Sequence, residues 1–193
     1  MVCLIGWLGV RGTFRRSEPA TKPLLETDRL QLREFALGDL DALAAMVGDE
    51  DQMRFYPRAR TRDEAAAWIR RNLALYKDCG FGFWLLASRA TSAFLGYCGI
   101  RPLLLGGVSE IEIGWHTRKT SWNQGIATEA AMAARDLAFG RFRVPRLVAL
   151  VHPEHTASRR VAEKIGMHYE RTTTVENDPL VVYAVARVRG GSS

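Results

Sequence analysis

The stretch Glu112-Ile113-Gly114-Trp115-His116-Thr117, continued through Trp122-Asn123-Gln124-Gly125-Ile126-Ala127-Thr128-Glu129-Ala130, decides how the rest of the chain is read. Its first residues close a run, Val108 to Thr117, in which Ile111, Ile113 and Trp115 alternate with Glu110, Glu112 and Gly114. A period of two predicts a strand with its apolar residues on one face. A polar loop, Arg118 to Gln124, follows. Gly125-Ile126-Ala127 then leads into a helix expected from about Thr128 to Phe139. A helix start exposes about four backbone N–H groups without intrahelical partners and carries a partial positive charge. A glycine and an alanine there let a bulky anion approach the main chain, so the spelling is that of a phosphate cradle made of backbone. A plain glycine turn before an Ala-rich helix is spelled the same way, and short glycine patterns are weak evidence. Neither G-x-x-x-x-G-K-[ST] nor G-x-G-x-x-G occurs in the chain.

Upstream, Leu30 and Leu32 alternate with Arg29, Gln31 and Arg33, which predicts a first strand. A short helix with Asp39 as N-cap places Leu40, Leu43 and Val47 on one face. Thr61-Arg62-Asp63-Glu64 is a capping box. Ala65, Trp68, Ile69, Leu73 and Tyr76 then fall at helical spacing, and Gly80 stops the helix. Phe81 to Ser88 reads as an apolar strand, Ala90-Thr91-Ser92 as a turn, and Phe94 to Ile100 as the hairpin partner. Downstream, Arg146 to Val151 reads as a buried strand. The loop His152 to Thr156 opens a helix that Gly166 ends. Strands near Met167–Val175 and Leu180–Val188 close the chain. The expected fold is α/β (α+β): a mixed, mostly antiparallel sheet of about seven strands with helices on both faces.

A chain of 193 residues, 47% hydrophobic and 25% charged, is long enough for one domain to bury its own core, and its composition excludes collagen, coiled coil and wholesale disorder. Residues 1–24 read as an extension, 25–189 as the single domain and 190–193 as a disordered tail. The apolar run MVCLIGWLGV is too short to span a bilayer, so no membrane partner is expected. Cys3, Cys79 and Cys98 are odd in number and lack motif spacing, which favours free thiols and a cytoplasmic location. No metal is expected: His152 and His155 stand three apart with no paired cysteines or H-E-x-x-H nearby. Only four of the 27 basic residues are Lys, and the net charge is +6. The arginines are scattered, as on a solvated surface, and direct nucleic-acid binding is not expected.

Beyond composition and spacing, Glu112-Ile113-Gly114-Trp115 with Trp122 to Ala130 resembles the E-I-G-Y…W-G-x-G-x-A-T-E-A block of GCN5-related N-acetyltransferases (GNAT), nearest the RimJ/RimL type that acetylates ribosomal-protein N-termini. Thr27-Asp28-Arg29-Leu30-Gln31-Leu32-Arg33 is similar to that branch's opening strand. Phe94-Leu95-Gly96-Tyr97-Cys98-Gly99 is similar to its L-I-G-x-x-G hairpin. His152 through Met167 is similar to its P-E-N-x-x-S-x-x-V-x-E-K-x-G-F signature. The chain departs from the pattern at Asn123, where the branch has Gly, at Trp122, where the superfamily prefers Arg or Gln, and at His155, which replaces an Asn. Ala162 lies where another branch carries a catalytic Tyr.

The resemblance implies acetyl-CoA as donor and a primary amine as acceptor, either a peptide N-terminus or a small molecule, in a ternary complex. It implies that Trp122, Asn123, Gln124, Gly125, Ile126, Ala127 and Thr128 hold the pyrophosphate, and that main chain around Trp115, His116 and Thr117 holds the pantetheine arm. His155, Ser158 and Arg159 would flank the cofactor. Glu112 is the first candidate base and His116, with an ordinary pKa near 6.5, the second. Ser158 is the candidate donor to the departing thiolate. The chain is expected to be a monomer or homodimer. Two other readings are a non-catalytic acyl-CoA sensor and a basic module that binds ribosomes or nucleic acid.

Overall fold

The computed structural model describes residues 23–188. The tail at 190–193, and all but the last two residues of the expected extension, lie outside the described residues. Thirteen elements follow in order: β1 (Leu25–Glu26), β2 (Leu30–Arg33), α1 (Leu40–Val47), α2 (Glu50–Met53), α3 (Arg62–Cys79), β3 (Phe83–Ser88), β4 (Phe94–Leu105), β5 (Val108–Thr117), α4 (Ile126–Gly140), β6 (Arg146–Val151), α5 (Thr156–Lys164), β7 (His168–Val175) and β8 (Asp178–Ala186). The eight strands form one sheet in the order β1-β2-β3-β4-β5-β6-β8-β7. Every neighbouring pair is antiparallel except β5 and β6.

Alternation along the strands divides the core between two faces. Leu85 and Ala87 of β3 meet Leu43, Met46 and Ile69 from α1 and α3. Trp84 and Leu86, with Leu30, Leu32, Cys98, Ile100 and Ile113, face α4 on the other side. That helix presents Ala130, Ala131, Ala134 and Ala138, all completely buried. Such small side chains let its backbone lie close to the sheet. Helices therefore cover both faces, as the sequence predicts.

Some boundaries differ from expectation. The short β1 joins β2, so the sheet has eight strands rather than seven. The strand expected from Phe81 begins at Phe83, and β4 runs on past Ile100 to Leu105. Pro102 interrupts nothing on the β3 side, because the last β3–β4 pair is Phe83↔Gly99 and no ladder bond is needed beyond it. Helix α4 begins at Ile126, two residues before the expected start, because Gly125 in the left-handed region is itself the N-cap.

The position of the site follows from one irregularity in pairing. β4 and β5 pair along ten residues, from Gly96↔Thr117 to Leu105↔Val108. β5 and β6 pair at Glu112↔Val148 alone. Past that point Ile113–Thr117 and Ala149–Val151 have no ladder between them, and a seam opens toward the carboxyl ends of two parallel strands. Each of these strands leads through a loop into the N-terminus of a helix, α4 after β5 and α5 after β6. The crevice outside the carboxyl ends of such strands is the usual ligand position in open α/β sheets.

Candidate active site

The loop between β5 and α4 is tied down at several points. The Arg118 N–H donates to the Leu95 carbonyl at 2.8 Å. Trp122 Nε1 donates to the Thr117 carbonyl at 2.9 Å, and Gln124 Nε2 to the Thr120 carbonyl at 2.8 Å. The chain then turns twice through the left-handed region, at Asn123 (φ 59°) and Gly125 (φ 75°), with Gln124 between them. Asn is among the few non-glycine residues that adopt this conformation readily, so Asn123 fills the family's glycine position with the backbone the turn needs. Alternating conformations of this kind line up successive N–H groups around a concavity. Gly125 offers no side chain to cap α4. The first backbone hydrogen bond into the helix is Glu129 N–H to Gly125 carbonyl at 3.0 Å. Among the described residues, the N–H groups of Asn123 to Thr128 have no partner.

On β5, Glu112, Gly114 and His116 point to the α1–α3 face. A Cβ on Gly114 would lie 2.9 Å from the Phe83 ring, so glycine is required for the ring to pack there. Glu112 meets Arg101 Nε at 2.5 Å, directly across the ladder. His116 is only 8% exposed. Its ring stacks on Tyr56 at 5.4 Å and meets the edge of Tyr97 at 5.5 Å, and its Nδ1 is buried without a partner. Burial pushes the His116 pKa down to about 4, with the nearby charge of His155 adding to the shift and the Gln52 main chain opposing it. On the opposite face of the same strand end, Trp115 Nε1 is also buried and unpaired.

Across the seam, His155 is the N-cap of α5 and accepts the Ser158 N–H on Nδ1 at 3.4 Å. Burial first, then Arg54 and His152, holds its pKa down to about 4. Its ring stacks on Phe55 at 4.1 Å. Arg54 lies over Phe55 at 4.8 Å and over Trp122 at 5.8 Å. The segment Arg54–Tyr56 after α2 thus straps the end of β5 to the start of α5.

Ser158 is a first-turn residue of α5 whose hydroxyl makes no hydrogen bond among the described residues; the capping is done by His155. Arg159 is committed elsewhere: Nε donates to Tyr183 Oη at 3.0 Å and Nη1 to the Pro153 carbonyl at 3.3 Å. Its guanidinium fastens α5 to β8 with two of its five N–H donors. Tyr56, Phe55, Arg54 and Arg101 stand at the site without a sequence motif to announce them, and Tyr97 comes to it from the Phe94–Gly99 hairpin stretch.

A family model, the acetyltransferase (GNAT) domain, matches residues 29–168. The chain belongs to the GNAT acetyltransferase family. It is 36% identical over 163 residues to the uncharacterized protein YkkB of Bacillus subtilis (strain 168), covering 84% of this chain and 95% of that one. Its fold is similar to the acetyltransferase from Agrobacterium tumefaciens str. C58 (TM-score 0.75, 28% identity, 89% and 98% of the two chains). It is also similar to RimL, a ribosomal L7/L12 alpha-N-protein acetyltransferase solved with coenzyme A (TM-score 0.70, 18% identity, 86% and 98% covered). GNAT enzymes are acyltransferases that use acetyl-CoA and act on amines. The residues present suit that donor: a run of unpaired amides for the pyrophosphate, an unpaired strand edge for the arm, and orphaned polar atoms at Trp115 and His116 where that edge ends. Among the described residues no helix is long and apolar enough to cross a membrane.

Proposed function

We propose that this GNAT enzyme transfers acetyl to the α-amine of a peptide N-terminus, in the manner of the RimJ/RimL branch, in the cytoplasm and by direct attack in a ternary complex. The observation that carries the reading is the bare N-terminus of α4 beside the unladdered end of β5. Acetyl-CoA, when bound, supplies an activated acyl group. The amides of Asn123 to Thr128 would hold its pyrophosphate, with Trp122 and Gln124 fixing the loop behind them. Main chain of Trp115, His116 and Thr117 would hold the arm and present an N–H where negative charge develops on the carbonyl oxygen.

The acceptor enters from the α1–α3 face, between Tyr56, Tyr97 and Glu112. Glu112 takes the amine proton, directly or through water; Arg101 occupies Oε2, leaving Oε1 with open lone pairs. His116, held neutral, is too weak a base at pH 7 to lead, and serves as a hydrogen-bond partner. The Ser158 hydroxyl donates to the departing thiolate. A site with one paired carboxylate suits an amine that is already partly neutral, which favours an α-amine (pKa about 8) over lysine (about 10.4). The charges of Arg54 and Arg101 at the mouth disfavour polycationic acceptors such as polyamines.

The test is thiol release from acetyl-CoA with a panel of free-N-terminal peptides, a lysine peptide with a blocked N-terminus, and polyamines. Turnover with the free N-termini supports the reading. Coenzyme binding without turnover on any amine would favour the acyl-CoA sensor instead.

A further inference from the structure

The opening motif around Thr27–Arg29 and the cradle are about 100 residues apart, yet one carboxylate joins them. Glu129, in the first turn of α4, accepts from Thr27 Oγ1 at 2.5 Å, from the Arg29 N–H at 3.1 Å and from Arg29 Nε at 2.6 Å. The same guanidinium reaches past the carboxylate and donates from Nη1 to the Gln124 carbonyl at 2.9 Å. Burial of the Glu129 carboxyl raises its pKa, but the bonds from Thr27 and Arg29 outweigh this and hold it below the usual range. It remains an anion that can anchor the arginine.

We infer that Arg29, held by Glu129, is a positioning residue that orients the Gln124–Gly125 peptide and so aims the cradle's amides. In a planar trans peptide the C=O and the following N–H point in opposite directions. Drawing the Gln124 oxygen toward Arg29 therefore turns the Gly125 N–H away from it, into the open side of the turn. The side of Gly125 where a Cβ would stand faces Arg29 Nη2, 3.5 Å from that position. The guanidinium is thus behind the cradle, acting through main chain rather than touching phosphate. Such a brace has a job at this place: Gly125 is the most flexible residue the turn could have, and its left-handed conformation has no side chain to fix it. Gln124 Nε2 ties the loop from the other end, at the Thr120 carbonyl. Arg29 is half exposed (its side chain 50% accessible), so the ion pair adds little to global stability, and its effect is expected in binding.

The inference rests on the functional reading above. Its test measures calorimetric Kd for CoA and for 3′-dephospho-CoA, kcat/KM for acetylpantetheine, which lacks the pyrophosphate, and Tm, in wild type, Arg29→Ala and Glu129→Gln. The expected result is a Kd raised about tenfold for both coenzymes in both variants, since the bonds lost are charge-assisted. Acetylpantetheine kcat/KM should stay within about twofold and Tm within a few degrees. Should Arg29→Ala not fold, Arg29→Lys keeps the charge beside Glu129 but cannot span to Gln124 with a second nitrogen, and the same split is expected. Coenzyme affinity equal to wild type in the folded variants would overturn the inference alone, leaving a merely structural brace. A wild type that binds no CoA would overturn the functional reading and this inference with it.

Discussion

Helices α3 and α4 begin in opposite ways. At α3 the Thr61 hydroxyl accepts the Glu64 N–H at 3.2 Å, and the Glu64 carboxylate accepts the Thr61 N–H at 2.8 Å while also pairing with Arg58. The start is closed by its own side chains, and Gly80 closes the other end in the left-handed conformation. At α4 the cap is a glycine with nothing to offer, and side chains are spent on holding the loop from outside: Trp122 on Thr117, Gln124 on Thr120, Arg29 on Gln124. A helix that only has to pack satisfies its amides locally. One that, on the proposed function, receives an anion leaves them bare and fixes the backbone from behind.

Breaking the open end should have the largest effect. Gly125→Val imposes a β-branched residue on a φ of 75°, which forces the turn to rearrange. CoA affinity should fall by more than about a hundredfold, roughly the worth of two charge-assisted hydrogen bonds, with far-UV circular dichroism unchanged. Titration calorimetry checks it; affinity within threefold of wild type would mean the turn does not form the binding surface.

Acid separates the two regions next. Glu64 is held down to about pKa 2, by Arg58 first and by the Thr61 amide. Its contribution is present above the unfolded value and is lost only as pH falls toward 2, so the α3 box survives at pH 4. His116 beside the seam behaves differently. Its folded pKa of about 4 lies below the unfolded value of about 6.5, so the unfolded chain binds the proton first between those limits. Stability is full above pH 6.5 and should decline by about 2 kcal/mol by pH 5 from this residue. Urea unfolding across pH, repeated on His116→Asn, should show a flatter acid slope in the variant.

Breaking the closed end should affect stability alone. Thr61→Ala removes the cap and should cost about 1 kcal/mol, read by thermal unfolding, with CoA affinity unaltered. The smallest change sharpens the comparison: Asn123→Gly relieves a left-handed non-glycine residue and restores the branch's usual residue. It should leave coenzyme affinity within about twofold, because the cradle uses main chain at that position.

How much of this could be read from the chain follows the range of each signal. The α3 box, its glycine stop and the two faces of β5 were legible because each is written within a few consecutive residues. Cross-strand partners were harder, though not hidden. The two-residue turn Gly106-Gly107 pairs Leu105 with Val108, and counting back along the ladder sets Arg101 opposite Glu112. The site carboxylate therefore has a cationic neighbour that reading Glu112 alone did not supply. The short β1, the strap Arg54–Tyr56 and the grip of Glu129 on the Thr27–Arg29 turn depend on tertiary packing between distant segments, where neither periodicity nor propensity reports. The partners of Arg159 are hidden for the same reason: its place at a helix start says nothing of Tyr183 on β8 or of the Pro153 carbonyl in the loop before it.

The most direct test follows backbone amides by heteronuclear NMR as CoA is added. The account expects large downfield shifts, and slowed hydrogen exchange, at Gly125, Ile126, Ala127 and Thr128, with the amides of Asp63, Glu64 and Ala65 at the start of α3 unmoved. Saturable CoA binding that leaves the four α4 amides where they were would contradict it.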